Sequence, residues 1–263
     1  MIKSVLQSIP SYIMSIYVLH KAVVNDIEKM LNSFWWGGGG GTGSIKWLAW
    51  DMLAFPKTTG GMGFRNYGEF NLAMVAKQGW NFLTNPTSLV SQIFKARYFP
   101  RTSFLDAKLG FNPSFAWRSI WMSRQVLLCG CRWRIGDGSQ IRVMQDPWLR
   151  CKQGGWLVSP QNQGVYDLFL AYLMIEGSKE WDVEKVFDLL SAEGANSVLK
   201  TPLFPSVQDD QVTWKEEWNG VYFVRTGYHI VARYVVPTSQ YQVQGDWNSM
   251  WKVRSPPKAR NLL

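Results

Sequence analysis

Apolar residues spaced three and four positions apart predict a mainly helical chain. The clearest pattern runs over 21–36, where six apolar residues from Val23 to Phe34 form one stripe. Five glycines at 37–41 end this helix, because their backbone entropy disfavours helical order. Further helices are predicted over 70–83, 89–98 and 115–128, and a short helix before Pro10 resumes over 12–17.

Two segments have the alternating pattern of β-hairpins. The first, 132–143, is centred on a Gly-Asp-Gly turn, and the second, 212–225, contains Asn219-Gly220, a pair suited to a type I′ turn. The pattern also predicts an extended stretch over 44–50 and short helices over 165–174, 181–191 and 227–234. No repeated βα pattern occurs. We therefore predict an α+β fold that is mainly α, with a helical N-terminal part, isolated β-hairpins and a smaller C-terminal α+β part.

The distribution of charge divides the chain more sharply than its composition does. A chain of 263 residues with 46% hydrophobic and 18% charged residues is ordinary for a globular protein. The net charge of +9 is concentrated at the start, because residues 1–152 hold 18 Lys+Arg against 7 Asp+Glu. Residues 153–245 hold 6 against 11, which places a structural boundary near residue 155. Such basicity favours phosphate polymers or anionic membrane surfaces as partners.

Cysteine usage and hydropathy indicate an intracellular protein, in the nucleus or the cytoplasm. Three cysteines cannot form a closed disulfide framework. The apolar stretch from Ile9 to Leu19 is too short to span a bilayer, and Gln7, Ser8 and Pro10 interrupt any signal-peptide core. We therefore expect no signal peptide and no transmembrane segment.

The residues that usually carry catalysis or bind metals are sparse. Two histidines and no Gly-x-Ser-x-Gly sequence argue against a nucleophile triad, and the glycine run lacks the Gly-Lys-Ser/Thr of a phosphate loop. Cys129-Gly130-Cys131 is one residue short of a Cys-x-x-Cys chelate. Asp209-Asp210 resembles the paired aspartates of polymerases only superficially, and we expect a solvated loop there. The sequence thus predicts no catalytic residue and no metal ligand.

Basic residues interleaved with aromatic residues form the remaining signal. Guanidinium groups bind phosphates, and aromatic rings stack on unpaired bases, so this pattern is typical of nucleic-acid binding. Alternatively, the tryptophans fill the core and the arginines are solvated neighbours. The candidate nucleic-acid-binding residues are Lys95, Arg97, Arg101, Arg118, Arg132, Arg134 and Arg142.

Ordered motifs along the whole chain resemble one family. The chain is similar to the segment that follows the polymerase core in plant non-LTR (LINE-type) retrotransposon reverse transcriptases. The motifs that carry the resemblance include Phe34-Trp35-Trp36-Gly37, Gly60-Gly61-Met62-Gly63-Phe64-Arg65, Lys95-Ala96-Arg97-Tyr98-Phe99-Pro100, Arg132-Trp133-Arg134-Ile135-Gly136-Asp137-Gly138 and Asp146-Pro147-Trp148-Leu149.

The resemblance implies a division into four parts. Residues 1–36 match thumb-like helices, 37–155 a basic helical linker region with a hairpin, 156–222 an acidic linker region, and 223–263 the start of a reverse-transcriptase zinc-binding domain. The family's magnesium-binding Tyr-x-Asp-Asp motif would lie upstream of Met1. The zinc ligands and any ribonuclease H domain would lie beyond Leu263, so the resemblance implies no cofactor within the chain.

The functional hypothesis is a catalytically incomplete fragment of a LINE-like RNA-directed DNA polymerase. It would lack the palm domain beside which it packs in the parent protein, and would retain at most nonspecific RNA or DNA binding. One alternative is a noncatalytic helical module that contacts protein through its aromatic surface, and another is a truncated gene model of an intact reverse transcriptase. Buried tryptophans would support packing, whereas exposed rings beside the arginines would support base stacking.

Overall fold

The fold of the chain is mainly helical. The computed structural model describes residues 2, 6–37, 45–150, 155–158, 161–235 and 245–252. About 51% of the chain is helical, and a two-stranded antiparallel sheet is formed, which confirms the predicted α+β, mainly α class. The α-helices are α1 Ser11–Met14, α2 Lys21–Trp35, α3 Trp50–Ala54, α4 Tyr67–Thr84, α5 Leu89–Tyr98, α6 Phe115–Gly130, α7 Val183–Leu189, α8 Ala192–Leu199, α9 Val224–Ile230 and α10 Trp247–Lys252; the strands are β1 Cys131–Arg134 and β2 Gln211–Trp214.

The chain divides into two compact units. One consists of residues 1–127 and 223–263, and the other of residues 128–222. The first carries 19 Lys+Arg against 6 Asp+Glu, a net charge of +13, and is called the basic unit here. The second carries 9 against 13, a net charge of −4, and is called the acidic unit. These limits rest on compactness, so the four functional parts and the boundary near residue 155 stay predictions.

Helix α2 confirms the helix predicted over 21–36, but it buries only part of the predicted apolar stripe. The His20 side chain caps the helix by accepting a hydrogen bond from the Ala22 N–H, and Gly37 follows its end with φ of +86°. Of the six apolar residues in the predicted stripe, Val23, Met30 and Phe34 are exposed. The buried face includes polar residues that bind backbone groups of other segments, and apolar periodicity does not detect them.

Helices α4, α5 and α6 confirm the other three strong helix predictions. The side chains of Asn66 and Ser88 cap α4 and α5 by accepting hydrogen bonds from N–H groups of the first turn. Asn71 of α4 is buried, and its amide donates to the carbonyls of Met14 and Tyr17, each at 2.7 Å. This amide fixes the turn after α1 against α4 and leaves neither carbonyl unsatisfied.

The first predicted hairpin is wrong, because β1 does not pair with 140–143. It pairs antiparallel with β2, with Cys131 opposite Trp214 and Arg134 opposite Gln211. The Gly-Asp-Gly segment instead wraps around the Asp210 carboxylate, which accepts hydrogen bonds from the N–H groups of Gly136, Gly138 and Gln140 at 2.7, 3.0 and 2.9 Å. The backbone at 136–140 therefore binds the distant Asp210 carboxylate and does not form the turn of a local hairpin.

The second predicted hairpin is also wrong, and so is its type I′ turn, because Asn219 does not have the positive φ that this turn requires. The Trp214 N–H donates to the Gly220 carbonyl at 2.7 Å, and Gly220 has φ of +71°, but no strand follows and α9 begins at Val224. The helix predicted over 165–174 is replaced by two 3-10 turns, Gln163–Val165 and Leu170–Leu173. The helices predicted over 181–191 and 227–234 are confirmed as α7 and as α9 with the π-helical turn Val231–Val235.

Candidate nucleic-acid interface

Four of the seven predicted binding residues lie in the basic unit. Lys95 and Arg97 lie in the last turn of α5, Arg101 follows that helix, and Arg118 lies in the first turn of α6. All four side chains are exposed. Within the described residues, no carboxylate forms a salt bridge with any of them. Their positive charge is therefore available to a phosphate backbone.

An aromatic stack brings the ends of α5 and α6 together. The Tyr98 ring lies parallel to the buried Trp117 ring, with the centroids 4.7 Å apart, and Arg97 lies over the Tyr98 ring at 5.4 Å. The Tyr98 hydroxyl accepts a hydrogen bond from the Ser114 N–H, and the Arg118 N–H donates to the Ser114 carbonyl. This chain of contacts links Arg97 to Arg118.

The same contacts set the acidity of Tyr98. Partial burial raises the pKa of its hydroxyl, but the hydrogen bonds with Ser114 and the charge of Arg97 outweigh burial and hold the pKa below its ordinary value. The hydrogen bonds with Ser114 contribute more to this lowering than the charge of Arg97 does.

The three remaining predicted residues lie in the acidic unit, so the structure does not bring all seven into one unit. Arg142 is half-buried and its Nε lies 3.2 Å from Oδ2 of the buried Asp146, which compensates its charge. Arg132 is half-buried on β1, and Arg134 is exposed at the end of that strand. A nucleic-acid-binding role for these three stays a prediction.

The tryptophans beside the arginines pack rather than point to solvent. Trp117 is completely buried, Trp121 is half-buried and donates from Nε1 to the Ala107 carbonyl, and Trp133 is half-buried. On the sequence alone, buried tryptophans support packing and exposed rings support base stacking. These three rings therefore support packing. Base stacking at this surface would need other rings.

A loop at the start of α6 presents such a ring. Trp117 Nε1 donates to the Leu109 carbonyl at 3.0 Å, and Trp121 Nε1 to the Ala107 carbonyl at 2.8 Å. Beyond these anchors, Phe111 has a relative exposure of 105%. Sequence reasoning missed Phe111. The flanking Gly110 and the Asn112-Pro113 pair are typical of a turn, but they do not give the direction of the ring.

The acidic pair also differs from its prediction. Asp209 is exposed as expected, but Asp210 is 8% exposed and holds the 136–140 loop, so the expectation of a solvated loop is wrong for Asp210. In the part of the chain that the structure describes, no three His, Cys, Asp or Glu side chains are placed to hold a metal ion.

Two buried carboxyl groups lie in the basic unit, apart from the predicted residues. Glu28 accepts a hydrogen bond from the Tyr67 N–H at 2.8 Å, and the Glu69 carboxyl bonds to the Tyr228 hydroxyl. Burial is the main cause that raises the pKa of each glutamate to about 7. The same hydroxyl accepts from the Asn66 N–H at 3.3 Å, so these groups join α9 to the start of α4.

Comparison with known proteins identifies relatives in Arabidopsis thaliana. Over 143 residues, 54% of the chain, the sequence is 37% identical to the "Uncharacterized mitochondrial protein AtMg00310", and the match covers 93% of that protein. The chain belongs to the AtMg00310 family. No family model matches it, and no solved structure matches it.

A second relative extends over almost the whole chain. The "Putative ribonuclease H protein At1g65750" of the same plant is 26% identical over 268 residues, which cover 99% of the chain but 42% of the relative. The chain therefore spans less than half of this longer protein. The two similarities support the coarse part of the sequence interpretation, a retroelement-derived plant protein. None of the described helices is long and apolar enough to cross a bilayer.

Proposed function

We propose that this member of the AtMg00310 family is a noncatalytic derivative of a LINE-like reverse transcriptase that binds RNA or DNA without sequence preference. The observation that carries the proposal is the exposed, uncompensated cluster of Lys95, Arg97, Arg101 and Arg118 in the basic unit. The net charge of +13 on that unit and the relative named for a ribonuclease H support it.

The proposed mode of binding is electrostatic. Guanidinium and ammonium groups that contact phosphates release condensed counterions, which gives affinity without sequence information. Helix α5 and the start of α6 carry these cations, and the Tyr98–Trp117 stack joins the two helices. The finer assignments, thumb helices over 1–36, linker regions up to 222 and a zinc-binding domain beginning at 223, belong to the same proposal.

The test is fluorescence anisotropy of a labelled single-stranded RNA with the full chain at several salt concentrations. If four phosphates are neutralised, log K should fall with log salt with a slope of about −3. The variant K95Q/R97Q/R101Q/R118Q should lose most of the affinity and most of the slope.

A matched control separates a local site from net charge. The variant K21Q/K29Q/K46Q/K77Q removes four exposed lysines from the same unit and should bind almost as well as the unchanged chain. Equal losses in both quadruple variants would contradict a site at α5 and α6. Binding that is absent at low salt would overturn nucleic-acid binding and favour the protein-interaction alternative.

The noncatalytic part of the proposal has its own test. The purified chain, supplied with an annealed primer and template, nucleotides and magnesium, should extend no primer. Extension that follows the chain through purification, and is absent from a mock preparation, would contradict it.

A further inference from the structure

The segment from Ala107 to Ser114 is fixed at its base and exposed at its tip. Indole N–H groups of α6 hold the carbonyls of Ala107 and Leu109, and the Ser114 hydroxyl caps the helix by accepting from the Trp117 N–H. Between these anchors, Gly110 and Asn112 both have positive φ, +77° and +50°. The backbone turns sharply on either side of Phe111 and directs that residue away from the unit's core.

Two aromatic rings at the start of α6 are exposed to solvent. Phe111 is fully exposed, and Phe115, four residues later in the first turn of α6, is 59% exposed. One side of Phe115 packs against Tyr17, with the ring centroids 5.2 Å apart. Among the described residues, no ring packs against Phe111, so both faces of its ring are open to solvent.

The charge around these rings selects the kind of ligand. Lys108 is exposed on the same segment, and Arg118 follows Phe115 by three residues on α6. Arg97 lies over Tyr98, whose hydroxyl contacts Ser114 in the same loop. An exposed ring among cations fits an unpaired base, whose face stacks on the ring while the phosphates on either side meet the positive charges.

We propose that Phe111 stacks on an unpaired base, with Phe115 beside it, and that the basic unit therefore prefers single-stranded over double-stranded nucleic acid. This inference rests on the proposed function, because the cations supply most of the affinity. It adds a specificity that the cations lack, since phosphates are present in both forms and only single strands offer free base faces.

The experiment compares a labelled 20-nucleotide single strand with a duplex of the same sequence, using the full chain. F111A should weaken single-strand binding roughly tenfold and duplex binding less than about twofold. F111W should retain single-strand affinity because its ring can stack, whereas F111L should behave like F111A. A 2-aminopurine base in the strand should change its fluorescence on binding the unchanged chain and F111W, but much less with F111A.

The control is Trp218, an aromatic residue 95% exposed in the acidic unit and preceded by Glu216 and Glu217. W218A should bind both probes normally. Full single-strand affinity in F111L, or equal losses for strand and duplex in F111A, would refute stacking.

The proposed function and this inference fail in different ways. If salt-dependent binding persists and F111A binds single strands normally, only the stacking role of Phe111 is refuted. If the unchanged chain binds neither probe at low salt, nucleic-acid binding itself fails. Binding to anionic phosphatidylserine vesicles that depends on Phe111, with unaltered RNA binding, would assign the ring to a membrane and overturn the inference.

Discussion

Replacing Asp210 by alanine should destabilise the acidic unit far more than a surface substitution does. Its carboxylate accepts three backbone hydrogen bonds of 2.7 to 3.0 Å, and two of the donors, Gly136 and Gly138, are buried. Removing the acceptor leaves these N–H groups desolvated and unpaired. Since hydrogen bonds to a charged group contribute about 1.5–3 kcal/mol each, two such losses should lower the free energy of unfolding by about 3–6 kcal/mol.

Close packing at Gly136 and Gly138 adds to this loss of stability. The loop has little room to move towards other hydrogen-bond acceptors when the Asp210 carboxylate is removed. A Cβ on Gly136 would lie 2.1 Å from the Asp209 carbonyl carbon, and one on Gly138 would lie 2.6 Å from the Ala171 nitrogen. The loop thus lies directly against two other backbone segments. D210N should cost less than D210A, because an amide oxygen can still accept from Gly136 and Gly138 but its NH₂ group cannot accept from Gln140.

Urea unfolding of the full chain, followed by tryptophan fluorescence, gives the change in stability. Hydrogen exchange of the amides at 136, 138 and 140 gives the local effect, and their protection should fall in D210A. The matched control is D209A, which removes the exposed neighbouring carboxylate and should change stability by less than about 0.5 kcal/mol. Equal, small effects of D209A and D210A would refute the role given to Asp210.

Two further predictions concern the basic unit. Glu28 and Glu69 have pKa values of about 7, so between about pH 4.5 and 7 the folded state holds protons that the unfolded state releases. The free energy of unfolding should therefore fall as pH rises through this range, by up to about 3 kcal/mol per group. In urea titrations at several pH values, E69Q should make this dependence on pH weaker. A pH dependence that E69Q leaves unchanged would contradict this account. G79A would place a Cβ 2.7 Å from the Phe104 ring and 3.0 Å from Leu127, and should lower stability by about 1–3 kcal/mol. The control is G68A, a substitution in the same helix, where the atom nearest to the new Cβ would be 3.4 Å away. This variant should gain up to about 1 kcal/mol of stability. Equal effects of the two substitutions would show that crowding at Gly79 is unimportant.

The sequence was most informative where structure depends on near neighbours. Helices α2, α4, α5 and α6 follow from residues three and four positions apart and from capping side chains such as Asn66. The hairpin at 132–143 failed because Asp210, about seventy positions away, binds the turn, and because β2 offers β1 a better partner. No local pattern contains that information.

The candidate interface shows the same contrast between what near neighbours determine and what distant contacts determine. The sequence identified the cations of α5 and α6, since charge is a property of each residue. It did not distinguish the aromatic side chains that pack from those that are exposed: Trp117 is completely buried, and Phe111 is fully exposed. That distinction depends on the anchoring of the loop at Ala107 and Leu109 by indoles of α6.

The order of segments along the chain has a consequence for biosynthesis. Helix α4 meets α9 through Tyr228, whose hydroxyl bonds to Asn66 and Glu69, yet 139 residues, among them the 95 of the acidic unit, separate the two helices in the chain. A ribosome that adds about 5–20 residues per second needs roughly 7–28 s to make the residues between them. During this interval the nascent basic unit lacks α9, and Glu69 has no tyrosine partner. Translation arrest before residue 228 would prolong that interval.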